Sequence, residues 1–422
     1  MLTAGILLGG VLLAGGAPAA VEAPQRPPEI LSWRHQVLSH ERYEELAERW
    51  AAFTEAHPRD PAAWVHWGHA LRYAGEDEAA NQKYTRAFEI DSTEIVALEA
   101  YASMQATRIG PDQPEELART HTRLLRAVAE HPNYARSYYA LFITSLMLGD
   151  VRQAEECLRR MVTTGDMPRP LFDHGYNMIA GAPLEAIIFT NGDNDTYPPL
   201  AVQAVTGVRP DVSIVNLSLL NTKWYIRYLR ERGLPIALRD AEIAGLKHAK
   251  DNLIGAQMQR HIFDQLARSG WPRPLFYAAT VYEANRILPV RLVIEGLGLR
   301  VVPTEDEAGK DLQDDFVRTR RLFDTVYRID GFTDPLVNWE RESALWVLGS
   351  NYATLLERLG MALLAGSPAE AAPYLYRAVA LLSFHNRLQR ASVILDRWAE
   401  VDPESPLLAE ARRLPARRVQ RD

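Results

Sequence analysis

Residues 60–92 read DPAAWVHWGHALRYAGEDEAANQKYTRAFEIDS, and the spacing of large and small side chains in this stretch decides how both ends of the chain are read. Trp64, Trp67, Gly68 and Leu71 recur at helical spacing, and Gly75 supplies a turn. Ala80, Tyr84 and Ala87 then fall on one side of a second helix. Gly68 and Ala80 are small where two antiparallel helices must approach closely, while the aromatic residues fill the groove between neighbouring pairs.

The same spacing recurs outward in both directions. Leu46, Trp50, Phe53 and Pro58 fall where the second helix of a preceding pair would put them. A further unit at 134–163 carries Tyr138 and Leu141, the turn Gly149-Asp150, then Ala154, Leu158 and Met161. Near the other end, LLERLGMALLAGSPAEAAPYLYRAVALL repeats the pattern around Gly366, Ala371, Leu375 and Ala378, and RASVILDRWAEVDPESP supplies a last helix with an Asp402-Pro403 exit. This pattern resembles the tetratricopeptide-repeat family over roughly residues 40–165 and 345–410, although Ser92 stands where the usual closing proline would be. The resemblance implies stacked helical pairs with a concave face for a protein partner, and Trp64, Trp67, Tyr73 and Tyr138 are the candidate partner-binding residues. The competing reading is that these helices pack against the middle of the chain.

Between the repeats the period changes. LEAIIFTN (184–191) and DVSIVNLSLL (211–220) read as short buried strands. YPPLAVQAVTGV reads as a helix with prolines in its first turn, and NTKWYIRYLRERG as a helix closed by Gly233. A helix at GAQMQRHIFDQLARSG, a strand at PLFYAAT and two short strands in RLVIEGLGLRVVP follow. The alternation predicts an α/β middle domain with a mainly parallel sheet and Rossmann-like layering, flanked by all-α tetratricopeptide-like repeats. The expected division is 1–23 signal peptide or anchor, 30–168 repeats, 170–305 α/β domain, 306–410 C-terminal helices, and 411–422 a basic disordered tail.

TNGDNDTYP, GVRPDVSIVNLSLLNTKWYI, IEGLGLRVVP and LFDTVYRIDGFTDP together resemble the soluble C-terminal part of bacterial multi-spanning membrane proteins similar to protein O-mannosyltransferases. The resemblance covers roughly residues 180–400 and omits the membrane portion, where catalysis is expected in enzymes of that architecture. It therefore does not imply transferase activity here.

In an open α/β sheet, ligands bind beyond the carboxyl ends of the strands. Asn191, Asp193, Asn194, Asp195 and Thr196 follow one such strand, and Asn216, Ser218 and Asn221 follow the next, so they are candidate ligand-binding residues on one polar rim. Three readings compete. Asp193 or Asp195 caps a helix beginning near Tyr197, with Asn216 and Asn221 capping the next. Alternatively the rim holds a glycan or a hard cation such as Ca2+, Mg2+ or Mn2+, with Asp193 and Asp195 as metal ligands. In the third reading, Asp193-Asn194-Asp195 is the Asp-x-Asp of a glycosyltransferase. His174 is a weaker candidate near the rim, and no H-E-x-x-H, G-x-S-x-G, Walker or G-x-G-x-x-G pattern supports a hydrolase or nucleotide-binding class.

Composition bounds the rest. A net charge of −7, with no basic stripe along a predicted helix, argues against nucleic acid. Met1–Ala23 is apolar and ends in small residues, which predicts an export signal, or an uncleaved anchor as the one membrane contact. Cys157 has no cysteine partner and reads as a buried hydrophobe. The expectation is an exported bacterial repeat protein, periplasmic or at the cell envelope, acting as a protein-binding or assembly factor. The alternative is a carbohydrate- or metal-binding protein using the Asp193-Asn194-Asp195 loop.

Overall fold

A computed structural model describes residues 24–249, 253–302, 315–334 and 344–414. The predicted signal at 1–23, and the tail beyond residue 414, lie outside the described residues. The described chain is rich in helical repeats and carries one small sheet.

Eight helices come first: α1 (His40–Ala56), α2 (Pro61–Tyr73), α3 (Asp77–Ile90), α4 (Ile95–Arg108), α5 (Pro114–Glu130), α6 (Ser137–Met147), α7 (Val151–Thr163) and α8 (Arg169–Ala180). Local chemistry starts several of them. Asp60 accepts from the Ala63 N–H at 3.1 Å with Pro61 in the first helical turn, and Asp150 accepts from Gln153 N–H at 3.0 Å. Each helix from α1 to α6 packs on the next, while α2 also touches α4 and α4 touches α6, so alternate helices form one layer. Gly68 is required for this packing, since a Cβ there would lie 2.5 Å from the Tyr84 ring of α3. Trp50 is fully enclosed between α1 and α2, the kind of side chain whose truncation costs about 3–5 kcal/mol.

The sheet has order β2-β1-β3-β5-β4, formed by β1 (Ile187–Thr190), β2 (Ser213–Asn216), β3 (Leu275–Ala278), β4 (Leu292–Glu295) and β5 (Gly298–Val301). β1 is parallel to β2 and β3, whereas β5 is antiparallel to β3 and β4. The sheet is therefore mixed rather than mainly parallel. The reason lies at Gly296-Leu297, which alone separate β4 from β5; so short a link joins only antiparallel strands, and Gly296 takes φ +58° in the turn. Helices α9 (Asp193–Thr206), α10 (Lys223–Glu231), α11 (Asp240–Gly245) and α12 (Ile254–Arg268) connect or flank the strands. Val202, Ile226, Ile243 and Ile262 of these helices share a core with Ile187, Val215 and Tyr277 of the sheet.

Helix α9 begins at Asp193, four residues before the expected start near Tyr197, so Pro198 and Pro199 lie inside it. Their missing N–H groups make room for an unusually close neighbour. Gly175 of α8 sits against this turn, where a Cβ would lie 2.4 Å from the carbonyl carbon of Pro198.

The C-terminal helices α13 (Phe316–Thr325), α14 (Ala344–Leu364), α15 (Pro368–Phe384), α16 (Leu388–Val401) and α17 (Pro406–Ala411) return to the repeats. One core joins Leu141 and Met161 of the first array to Tyr352, Leu356, Leu375 and Trp398 of the last helices. The two helical ends meet in space.

Residues 24–38 form an extended strap with a single turn at Trp33–His35. Trp50 Nε1 donates to the Pro28 carbonyl at 3.1 Å, and the Ile30 N–H donates to His66 Nδ1 at 3.2 Å. Pro27 and Ile30 are its buried residues, and Trp33 stays 51% exposed.

Candidate functional site

The rim residues do converge. β1 and β2 are neighbours in the sheet, so their carboxyl ends bring Asn191, Thr196, Asn216 and Ser218 together. Most of their polar groups are then spent on one another. Asp195, the third residue of α9, accepts from the N–H groups of Asn191 (2.7 Å) and Gly192 (2.8 Å) and from the Thr280 hydroxyl beyond β3. Burial pushes its carboxyl above the usual range, against the pull of these three donors. The Thr196 hydroxyl bonds Thr190 at 2.7 Å and accepts from Asn216 Nδ2 at 2.9 Å, while Asn216 Oδ1 accepts from Leu219 N–H at 2.9 Å. Ser218 donates to the Asn191 carbonyl at 3.1 Å, and Asn221 Oδ1 accepts from Gly255 N–H at 2.9 Å. These bonds close strand ends and start helices.

Asp193 differs. Its side chain is exposed to solvent, yet protein encloses it on enough sides for burial to push its carboxyl up, with Arg34 and Arg72 pulling the other way. Asp193 thus feels the charges of Arg34 and Arg72, whereas Asp195 bonds Thr280. With its oxygens already accepting three donors, Asp195 fits a divalent cation poorly. Among the described residues there is no cluster of three His, Cys, Asp or Glu able to hold a metal.

The residues that sequence reading missed lie where the strap crosses the repeats. The Trp33 ring stacks on Tyr73 with centroids 5.0 Å apart. Arg34 lies 3.9 Å over the Tyr139 ring, pairs with Asp166 at 3.1 Å, and reaches Asn194 Oδ1 at 3.5 Å. His35 Nε2 meets Asp166 at 3.0 Å, and Tyr139 donates its hydroxyl to the same carboxylate at 2.6 Å. Burial opposes ionisation of Asp166, but His35, Arg34 and Tyr139 outweigh it and hold the carboxyl well below the usual range. Beneath them, Arg136 donates to His69 Nε2 at 2.8 Å, which leaves Nδ1–H to bond Tyr84 at 2.9 Å. Burial first, then Arg136 and His66, hold His69 neutral.

The four aromatic residues assigned to a partner separate in the structure. Tyr73 faces the strap. Trp64 donates to the Pro58 carbonyl at 3.1 Å, and Trp67, with Lys83 3.9 Å over its ring, packs against the α1–α2 core. Tyr138 is a core residue, 4% exposed, with its hydroxyl bonded to the Pro132 carbonyl at 2.8 Å. His174 is also interior, its Nδ1 3.0 Å from the Tyr352 hydroxyl. The sequence signal for this face is slight: Tyr73 closes α2 beside Arg72, and Tyr139 lies in the first turn of α6 three residues after Arg136.

Comparison with known proteins bears on part of this region. No curated protein matches the chain. Among solved structures, the Naa15/Naa10 complex bound to HypK-THB is similar at 14% identity with a TM-score of 0.20, over 90% of this chain and 59% of that chain. At that score the likeness carries no argument. Residues 171–243, which run from α8 through β1, α9, β2 and α10 into α11, match a family described as TMEM260-associated domain 2.

Proposed function

We propose that this chain is a protein-binding or assembly factor that recognises a partner polypeptide along the layer made by α2, α4 and α6. The observation that carries the proposal is the chemistry of that layer. It combines exposed Arg72 and the aromatic rings of Tyr73 and Tyr139 with the ionised Asp166 at one end, on helices anchored by their own buried cores. Aromatic and charged groups on a rigid support are what polypeptide recognition uses. The apolar first residues support export and a place at the bacterial cell envelope. A photo-crosslinking residue at Arg72 of the full chain, irradiated in cells, is expected to give one or a few discrete polypeptide adducts. The absence of any adduct above that seen at an edge position such as Glu48 overturns the proposal.

A second reading has one specific observation in its favour. Asp193 is solvent-exposed close to the Tyr139 and Tyr197 rings, and an exposed carboxylate on a polar rim suits the hydroxyls of a sugar. Glycan binding that disappears with Asp193→Ala would favour it.

A further inference from the structure

The groove across α2 and α6 already holds a peptide, which belongs to the chain itself. We propose that the strap Ile30–Gln36 is a resident occupant of the partner site, and that the partner presents an extended segment with an aromatic residue followed by arginine. This deepens the protein-binding reading above and rests on it.

The contacts have the character of a bound peptide. The strap lends a backbone N–H to His66 and then alternates anchors: Ile30 buried, Trp33 flat on Tyr73, Arg34 against Tyr139 and Asp166. Ile30 is part of the α1–α2 core, whereas Leu31, Trp33 and Val37 remain 36%, 51% and 39% exposed, so the segment is pinned at Ile30 and lies on the array beyond it. An arginine held by both a ring face and an ionised carboxylate is selected by geometry as well as charge, and a lysine satisfies that pair less well. Asp166 is the groove's negative end, and it stays ionised at neutral pH. A competing segment of the same chemistry gains every one of these contacts. The resident strap has only the advantage of being tethered, which a partner can match when its affinity or local concentration is high enough.

The test uses the full chain and a fluorescent peptide of residues 28–38, PEILSWRHQVL. Trp33→Ala with Arg34→Ala in the chain loosens the resident strap and leaves the groove intact. Anisotropy is expected to show the peptide binding this variant at least tenfold more tightly than the unmodified chain. Adding Asp166→Asn should abolish that gain. If the double variant loses its cooperative melt, Arg34→Ala alone serves, with a gain of several-fold expected. Peptide binding that is equal in variant and parent, or that survives Asp166→Asn, overturns the inference. Adducts from the Arg72 crosslinker keep the two ideas apart. If they persist while the peptide fails, the strap is only structural; if both fail, the protein-binding reading falls as well.

Discussion

Two polar clusters, the rim at the ends of β1 and β2 and the strap across α2 and α6, differ in how their hydrogen bonds are satisfied. At the rim, Asp195, Thr196, Asn216 and Asn221 bond groups held in place by the sheet and by the helices that leave it. At the strap, Arg34 and His35 reach partners more than a hundred residues away in the chain, Asp166 and Asn194, from a segment with little regular structure of its own. Self-contained polar groups are part of the architecture. A segment attached by a few side-chain anchors can be exchanged for another of the same chemistry. A cluster of polar residues in a sequence therefore says little until the partner of each atom is known.

Acid should separate the clusters most strongly. Burial, reinforced by Arg136 and Arg26, holds His66 at about 4, and burial alone holds His174 at about 4, both below the ordinary 6.5. Between those values the unfolded chain binds more protons, so stability must fall as pH drops from about 6.5 towards 4, by on the order of 3 kcal/mol for each histidine. Protonation at His66 also removes the acceptor for the Ile30 N–H, so acid should loosen the strap. Urea denaturation from pH 7 to 4.5 measures the loss, and a flat profile would contradict it.

Paired substitutions give the next largest contrast. Asp195→Ala strands two backbone N–H groups and the Thr280 hydroxyl, and should lower stability by about 2 kcal/mol. Arg34→Ala removes a cation–π contact and breaks a largely buried ion pair, its side chains only 10% and 12% exposed, and should lower it by about 3 kcal/mol. A loss below about 1 kcal/mol for Arg34→Ala in urea melts would show that the strap's ion pair is dispensable. The smallest effect concerns the cation. Ca2+, Mg2+ or Mn2+ at millimolar concentration should leave the melting temperature unchanged, because Asp195 already accepts three donors. A rise of several degrees that is lost with Asp193→Asn would make the rim a metal site after all.

Much of the architecture was legible in the sequence. Gly68 and Tyr84 revealed a helical pair because close approach and ring filling recur at set offsets, and the β-branched runs at Ile187–Phe189 and Ser213–Val215 revealed parallel neighbours. The mixed sheet was partly legible in the two-residue link Gly296-Leu297, which forces β4 and β5 antiparallel, but the pairing of β5 with β3 across the chain has no local signal. The prolines of α9 suggested a later helix start, because a proline inside a helix is tolerated only when tertiary packing supports it. Least legible was the strap. PEILSWRHQ has no period, and its meaning depends on Tyr73, Tyr139 and Asp166, which a helical array brings to it from far along the chain.

The contact between Gly175 and the Pro198–Pro199 turn has a mechanical consequence. Here the last helix of the array and the first helix of the α/β layer meet backbone to backbone, with no side chain between them to act as a cushion. A pull exerted on the array by a bound partner would reach the sheet through a stiff joint.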